Sequence, residues 1–255
     1  MPIILNDLQK IPHDTVRYAN NPIELLKITD RMRIGRGTDS RFDFLLHCDG
    51  SENSTSFVEE TGKSVTLGGT PKITTLNKRF GSGSVIFGSS DSLICNNIMD
   101  FGANDFTIDM WIYKTDSSVA EYYRHDDQGG TGYGFAIYTA TDRYLYLMLG
   151  CTTGDYYLTS SSSLNYSYNT WFHLAIVRYG AEIMAFYNGI KLTLTGTQIG
   201  TKIIVPRSGT SSKKISNVNG QLDEIAIRNY AVWTSSFTPL SIPYVRITHH
   251  NYIGA

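Results

Sequence analysis

The sequence predicts an all-β fold, an antiparallel sandwich or barrel preceded by an extended N-terminal arm. Three observations lead there. Glycine (23) and tyrosine (17) are plentiful among the 255 residues, while helix-forming runs of Ala, Leu, Glu and Lys are scarce. Short apolar or alternating segments recur between glycine-rich breaks, the pattern of many short strands. No regular alternation of strands with helix-length patterns is visible, which counts against a Rossmann fold or a TIM barrel.

Residues 1–41 read as an assembly arm. They contain three prolines and one helix-like piece, Pro22–Ile28, with proline suited to its first turn. A helix that short is marginal alone and needs a surface to pack on. Ile3, Ile4, Leu5, Leu8, Ile11, Leu25, Leu26 and Ile28 are more apolar than a disordered tail usually is. Strand and turn begin at Phe42–Cys48, which is closed by Asp49-Gly50. Ser84–Phe87 and Ser92–Cys95 follow. Phe106–Lys114 alternates, with Phe106, Ile108, Met110 and Ile112 on one face and Thr107, Asp109, Trp111 and Tyr113 on the other. The series continues with Gly132–Tyr138, Tyr144–Leu149, Tyr156–Leu158, Trp171–Tyr179 and Ile183–Tyr187. Asn188-Gly189 then predicts a type I′ hairpin into Ile190–Leu194. Gln221–Arg228 is the last clear strand. The domain is expected to span 42–245, with a tail at 246–255.

Charge excludes some partners. Lys plus Arg (22) nearly balance Asp plus Glu (23), and residues 1–48 carry seven basic against six acidic side chains. Nothing here pulls generally toward nucleic acid or an anionic membrane. Cys48, Cys95 and Cys151 are widely spaced and form no CxxC pair, so they read as reduced thiols. Residues 1–30 lack a secretory pattern, and no apolar stretch reaches transmembrane length, so no membrane insertion is expected. Without a secretory route, the sequons at Asn53 and Asn165 carry little weight.

Six stretches resemble, in order, the laminin G-like or concanavalin A-like jelly-roll family. They are Phe44–Gly50, Phe80–Phe87, Asn104–Tyr113, Thr170–Arg178, Phe186–Gly189 and Gly220–Arg228, and the resemblance covers about residues 42–240. It implies an antiparallel jelly-roll sandwich. It also implies a broad range of functions, from glycan binding and adhesion to hydrolysis and structural parts of phage virions. The apolar arm, the absence of a secretory pattern and Phe237-Thr238-Pro239-Leu240 look like the version found in phage tail and capsid-decorating proteins.

Catalytic patterns are missing. Hydrolases resembling this fold commonly carry E-x-D-x-E on one strand, which aims alternate acids into a cleft; no such run occurs here. Asp109 is the only acid within its strand, and the pairs Asp126-Asp127 and Glu59-Glu60 are adjacent, so their side chains diverge if extended. There is no G-x-S-x-G nucleophile turn. His173 reads as a structural histidine, His249-His250 as side chains that point apart, and Gly81-Ser82-Gly83-Ser84 as a turn.

Two acids stand out. Asp223 shares strand parity with Ile225 and Ile227, which points it inward at the start of the last strand. The resemblance brings the first strand, ending at Asp49, close to it. Either each acid receives backbone N–H groups from neighbouring turns, or the two contribute to a structural calcium site through hard oxygen ligands. Beyond that calcium, no cofactor is expected.

Ten tyrosines fall between residues 122 and 168. Tyr144 and Tyr146 lie opposite Leu145, Leu147 and Leu149, so a core-facing leucine row turns these tyrosines outward. The expected contact set is Tyr122, Tyr123, Tyr133, Tyr144, Tyr146, Tyr156 and Tyr157, rimmed by polar residues from Arg124 to Gln128. A sheet face that merely tolerates tyrosine is the plainer alternative. The overall expectation is a non-enzymatic phage virion protein, made in the host cytoplasm. Its arm, through Ile3–Leu8 and Ile23–Ile28, would bind other virion proteins or further copies of itself, and its tyrosine face would touch host-surface polysaccharide. A stand-alone lectin or adhesion module is the second reading, and a glycoside hydrolase the third.

Overall fold

Sixteen short strands, all in antiparallel pairs, build two eight-stranded sheets among the described residues. The structure, a computed structural model, describes residues 42–125, 134–205, 212–216 and 218–244. The first strands are β1 (Phe42–Leu46), β2 (Thr66–Gly68), β3 (Lys72–Thr74), β4 (Ser84–Phe87), β5 (Ser92–Ile94), β6 (Phe106–Lys114), β7 (Ala120–His125) and β8 (Phe135–Thr139). Then come β9 (Leu145–Cys151), β10 (Gly154–Ser160), β11 (Trp171–Tyr179), β12 (Glu182–Tyr187), β13 (Ile190–Lys191), β14 (Leu194–Gly196), β15 (Lys213–Ser216) and β16 (Gly220–Arg228). One sheet runs β13-β12-β11-β6-β16-β4-β3, with β1 also on β16; the other runs β14-β10-β9-β8-β7-β15-β5-β2. This is the concanavalin A-like jelly-roll sandwich. The described residues fall within one compact unit. The predicted arm, with Ile3, Ile4, Leu5, Leu8, Leu25, Leu26 and Ile28, and the tail 246–255 lie outside the described residues.

The core between the sheets is the inward half of each alternation. Phe106, Ile108, Met110 and Ile112 of β6 meet Phe135, Ile137, Leu145, Leu147 and Leu149 of the opposing sheet in one cluster. The Asn188-Gly189 turn has positive φ at both residues (48° and 78°), as a type I′ hairpin requires. The predicted strand Ile190–Leu194 divides into β13 and β14, which join different sheets. Four further strands, β2, β3, β7 and β15, escaped the sequence pattern because they are short or polar.

The outward half of β6 is buried too. Thr107 and Asp109 are fully covered and Trp111 nearly so. Their cover is the chain after β16. Trp233 and Phe237 stack on each other (centroids 3.9 Å apart, planes 4° apart) and pack on Ala175, Val177, Met184 and Phe186. The hydroxyl of Thr107 donates to the Tyr230 carbonyl (2.8 Å) and accepts the Val232 N–H (2.9 Å), and the Phe237 N–H reaches the Gly189 carbonyl (2.8 Å). A Cβ at Gly189 would fall against the Phe237 carbonyl oxygen, so glycine is needed there for the strap as well as for the turn.

Asp109 is held at the centre of this sealed face. Its register partners are Ala175 on β11 and Ala226 on β16, small residues that leave room for larger side chains. The Arg228 guanidinium and the Tyr244 hydroxyl donate to its two carboxylate oxygens, and His173 Nε2 lies 3.3 Å from Oδ2. Burial pushes the Asp109 carboxyl up, but Arg228, His173 and Tyr244 outweigh it and hold it below the usual carboxylate range. Arg228 also lies over the rings of Phe42 and Tyr244, at 4.5 and 4.4 Å. The first and last described residues of the unit therefore meet at one guanidinium.

Replacing Asp109 with Ala should cost about 3–5 kcal/mol, because it leaves Arg228 buried without its counter-ion. The pair Asp109→Leu with Arg228→Met should recover much of that loss in urea unfolding. Asp109's contribution is full above about pH 4 and is lost as pH falls through its depressed folded value, so the single variant should also flatten the acid limb of stability against pH.

Candidate ligand-binding face

On β8, β9 and β10 the core takes Phe135, Ile137, Leu145, Leu147, Leu149 and Leu158, so the residues between them form the outer face of the second sheet. Two registered rows cross it. In the first, Tyr138 lies opposite Tyr146, Tyr146 opposite Thr159, and Thr159 opposite Thr195. In the second, Lys214 pairs with Arg124, Arg124 with Ala136, Ala136 with Met148, and Met148 with Tyr157. Strands are about 4.8 Å apart and residues on one face of a strand repeat about every 6.7 Å, so the rows frame one continuous surface.

Aromatic side chains dominate its middle. Tyr138 and Tyr146 stack with centroids 5.1 Å apart and planes within 11°. The Tyr146 hydroxyl donates to Asp142 Oδ2 (2.8 Å), and that hydrogen bond, with some burial and nearby negative charge, raises its pKa. The phenol therefore stays neutral at physiological pH. Tyr157 is 54% exposed. Tyrosine rings with fixed hydroxyls offer apolar faces for the C–H surfaces of a sugar and polar edges for its hydroxyls.

Each tyrosine of the expected contact set now has a place. Tyr146 and Tyr157 lie on the face, and Tyr144 is half-buried just before β9, its N–H donating to Asp142 Oδ1 (3.0 Å). Tyr133 lies outside the described residues. Tyr122 and Tyr123 are a correction: both are fully buried in the core. The β7–β8 register slips between Glu121 and Tyr123, and this bulge turns two consecutive side chains inward. Tyr122 bonds Thr139 Oγ1 (2.8 Å), while Tyr123 packs on Phe101 and Phe135. Tyr156 is a second correction. Opposite Leu149 it faces the core margin, where Lys202 Nζ lies 5.0 Å from its ring centre. Of the expected polar rim, Arg124 is on the face, but His125 is buried within β7. Tyr138, Met148 and Lys214 were not in the expected set; the parity of Tyr138 with Ala136, out of phase with Phe135 and Ile137, was the signal that could have found the first of them.

The acid pair resolves differently. Asp49 accepts hydrogen bonds from the N–H groups of Ser82 and Gly83 (3.2 Å for the latter) and from the Ser82 hydroxyl (3.0 Å). Asp223 accepts from the N–H groups of Arg79 (2.7 Å), Phe80 (3.0 Å) and Glu224 (2.8 Å). The two acids thus clasp neighbouring parts of one loop, residues 79–83. Asp223 does not share a face with Ile225 and Ile227. A bulge at Glu224 (φ 50°) shifts the register between Asp223 and Ala226 and turns Asp223 to the strap side, opposite Trp111. Among the described residues, no group of three or more His, Cys, Asp or Glu side chains converges as a metal site. His173, expected to be structural, is buried against Asp109, with edge-on contacts to the rings of Trp111, Trp233 and Phe237.

The family described as the concanavalin A-like lectin/glucanases superfamily matches residues 87–235. No curated protein matches the sequence. Among solved structures, domain 4 of AbnA, a GH43 extracellular arabinanase from Geobacillus stearothermophilus, in complex with arabinotriose, has a TM-score of 0.53 at 12% identity, over 75% of this chain and 93% of that one. The binding domain of botulinum neurotoxin DC, in complex with rat synaptotagmin II, has a TM-score of 0.51 at 16% identity, over 76% of this chain. The match spans only about half (49%) of that binding domain. At these identities the likeness establishes the fold.

Burial, only partly offset by the Phe80 and Arg79 N–H groups and reinforced by the Glu224 charge, raises the Asp223 carboxyl to about 8. A raised acid stabilises the fold most below its unfolded value, near pH 4, and that contribution is lost as pH climbs to about 8. His47 acts in the same direction: burial lowers its pKa, but the 2.7 Å bond to Glu224 wins and raises it above 6.5. Thermal unfolding should therefore show stability falling from pH 5 to pH 8. Asp223→Asn, which keeps an oxygen for the Arg79 and Phe80 N–H groups, should remove the larger part of that slope.

Proposed function

Since the chain belongs to the concanavalin A-like lectin/glucanases superfamily, a fold that by itself specifies no activity, we propose a function from the exposed face: non-enzymatic glycan binding by the outer surface of the second sheet. The observation that carries this reading is the registered cluster of Tyr138, Tyr146, Met148 and Tyr157. A contiguous aromatic surface, with the Tyr146 hydroxyl held by Asp142, suits an extended polysaccharide better than a single buried sugar. The arabinotriose complex of the AbnA domain supports it by analogy of fold. Catalysis by an acid pair has little to draw on, because Asp109, Asp223 and Glu224 are buried and already engaged by Arg228, by backbone N–H groups and by His47 respectively.

We further propose that the protein is a phage virion component, carried on tail or capsid, which displays this face to a host surface. Its support is the apolar character of residues 1–41 together with an aromatic face on the outer side of the second sheet. Repeated copies on a virion would make weak glycan contacts add. Residues 1–41 would hold the protein to virion neighbours or to its own copies.

Tyr146→Ala and Tyr157→Ala should each weaken binding to a recognised polysaccharide roughly tenfold, the loss typical of an aromatic anchor, with the unfolding midpoint little changed. Loss of neither would move the site elsewhere. Light scattering should find a symmetric oligomer for the full chain, and a folded monomer once residues 1–41 are removed. A monomer in both forms would favour the stand-alone lectin module instead.

A further inference from the structure

The tyrosine face is electrically lopsided. Lys214 of β15 stands directly opposite Arg124 of β7, two like charges in register on the outer surface. Within the face, Glu121 Oε2 lies 3.5 Å from Arg124 Nη1, and Arg124 remains about one-third exposed. Two acids flank the tyrosines at opposite ends of the strands, Asp142 in the turn between β8 and β9 and Asp155 opposite Gly150. Asp142 is committed to Tyr146 and to the Tyr144 N–H, and Asp155 is exposed two residues before Tyr157 on the same side of β10. Between Arg124 and Tyr157 lie Ala136 and Met148, which put no charge on the row. From Lys214 to Tyr157 that row runs from cationic to aromatic over four strand spacings, roughly 19 Å.

From this juxtaposition we infer that the face recognises an acidic linear polysaccharide. Its sugar rings lie against Tyr138, Tyr146 and Tyr157, and a carboxylate, sulfate or phosphate group is taken by Arg124 and Lys214. The inference rests on the glycan-binding reading and narrows it to a ligand class. Arg124 offers a planar fork that matches an oxyanion in two hydrogen bonds, and Lys214 adds a point charge beside it. Arg124 and Tyr146 are separated by two strands and one pleat repeat, roughly 12 Å. That is the reach of an oligosaccharide rather than of one sugar.

The test uses the full chain and matched probes: polygalacturonate, alginate and polysialic acid, each beside its carboxyl-reduced, neutral counterpart. Binding is read by affinity electrophoresis at two salt concentrations. The expected result is that at least one acidic polymer binds on the order of tenfold more tightly than its reduced form. That preference should weaken with salt and vanish in Arg124→Gln/Lys214→Gln, whose unfolding midpoint is checked first. Equal binding of acidic and reduced polymers overturns the inference, as does a preference that survives the double substitution. In either case, binding that still depends on Tyr146 leaves the glycan-binding reading standing. Absence of any Tyr146-dependent binding to acidic or neutral polymers overturns both.

Discussion

The buried Asp109–Arg228 ion pair is the constraint on which the rest of the domain depends. A carboxylate in the middle of a central strand, under a layer of protein, is tolerable only with its charge matched and its oxygens occupied. Arg228 supplies the charge from the neighbouring strand. The remaining donors include Tyr244, which arrives only if the chain beyond β16 folds back across the sheet. Having done so, that segment stacks Trp233 on Phe237, gives its Tyr244 N–H to Glu224 (2.7 Å), and through Glu224 is linked to His47 beyond β1. One acid thus ties together the central strands of the first sheet, its first strand and the C-terminal strap.

Sealing one side of the sandwich decides what the other side can do. The first sheet's outer surface is spent on holding the strap, and the second sheet's outer surface has no corresponding cover among the described residues. Among the described residues, Tyr138 stacks against Tyr146 and Tyr157 is more than half exposed. A stacked pair braced by Asp142 is already ordered, so a ligand meeting it has less conformational entropy to remove. Arg178, buried at the end of β11, performs a related service for the loops. Its guanidinium binds the carbonyls of Gly102, Gly180, Gly200 and Lys202, fixing three separate turns at one end of the sandwich.

Much of this was legible in the linear pattern. The boundaries of β4, β6 and β11 follow directly from their alternation, and Leu145, Leu147 and Leu149 correctly turned Tyr146 outward. What misled was local slippage. Tyr122 and Tyr123 lie in β7, which the pattern did not show as a strand and where an extra residue turns both inward, and the bulge at Glu224 reversed the parity of Asp223 against Ile225. Both are one-residue events, and a period-two reading has no means of registering them. Lys214 escaped for another reason: β15 is a short, basic segment whose place beside β7 is set by pairing across almost ninety residues of chain.

The sequence by itself determined the all-β class, the order of the strong strands, the leucine row and the supply of tyrosines, because these depend on periodicity and composition within a few residues. Tertiary structure alone decided that the outward face of β6 is interior, that Arg124 and Lys214 are neighbours, and that Asp49 and Asp223 each accept backbone N–H groups of residues 79–83. Those outcomes come from which strands pair and what later chain covers them. Distant contacts of that kind are selected by the joint burial of many residues, and no short stretch of sequence contains them.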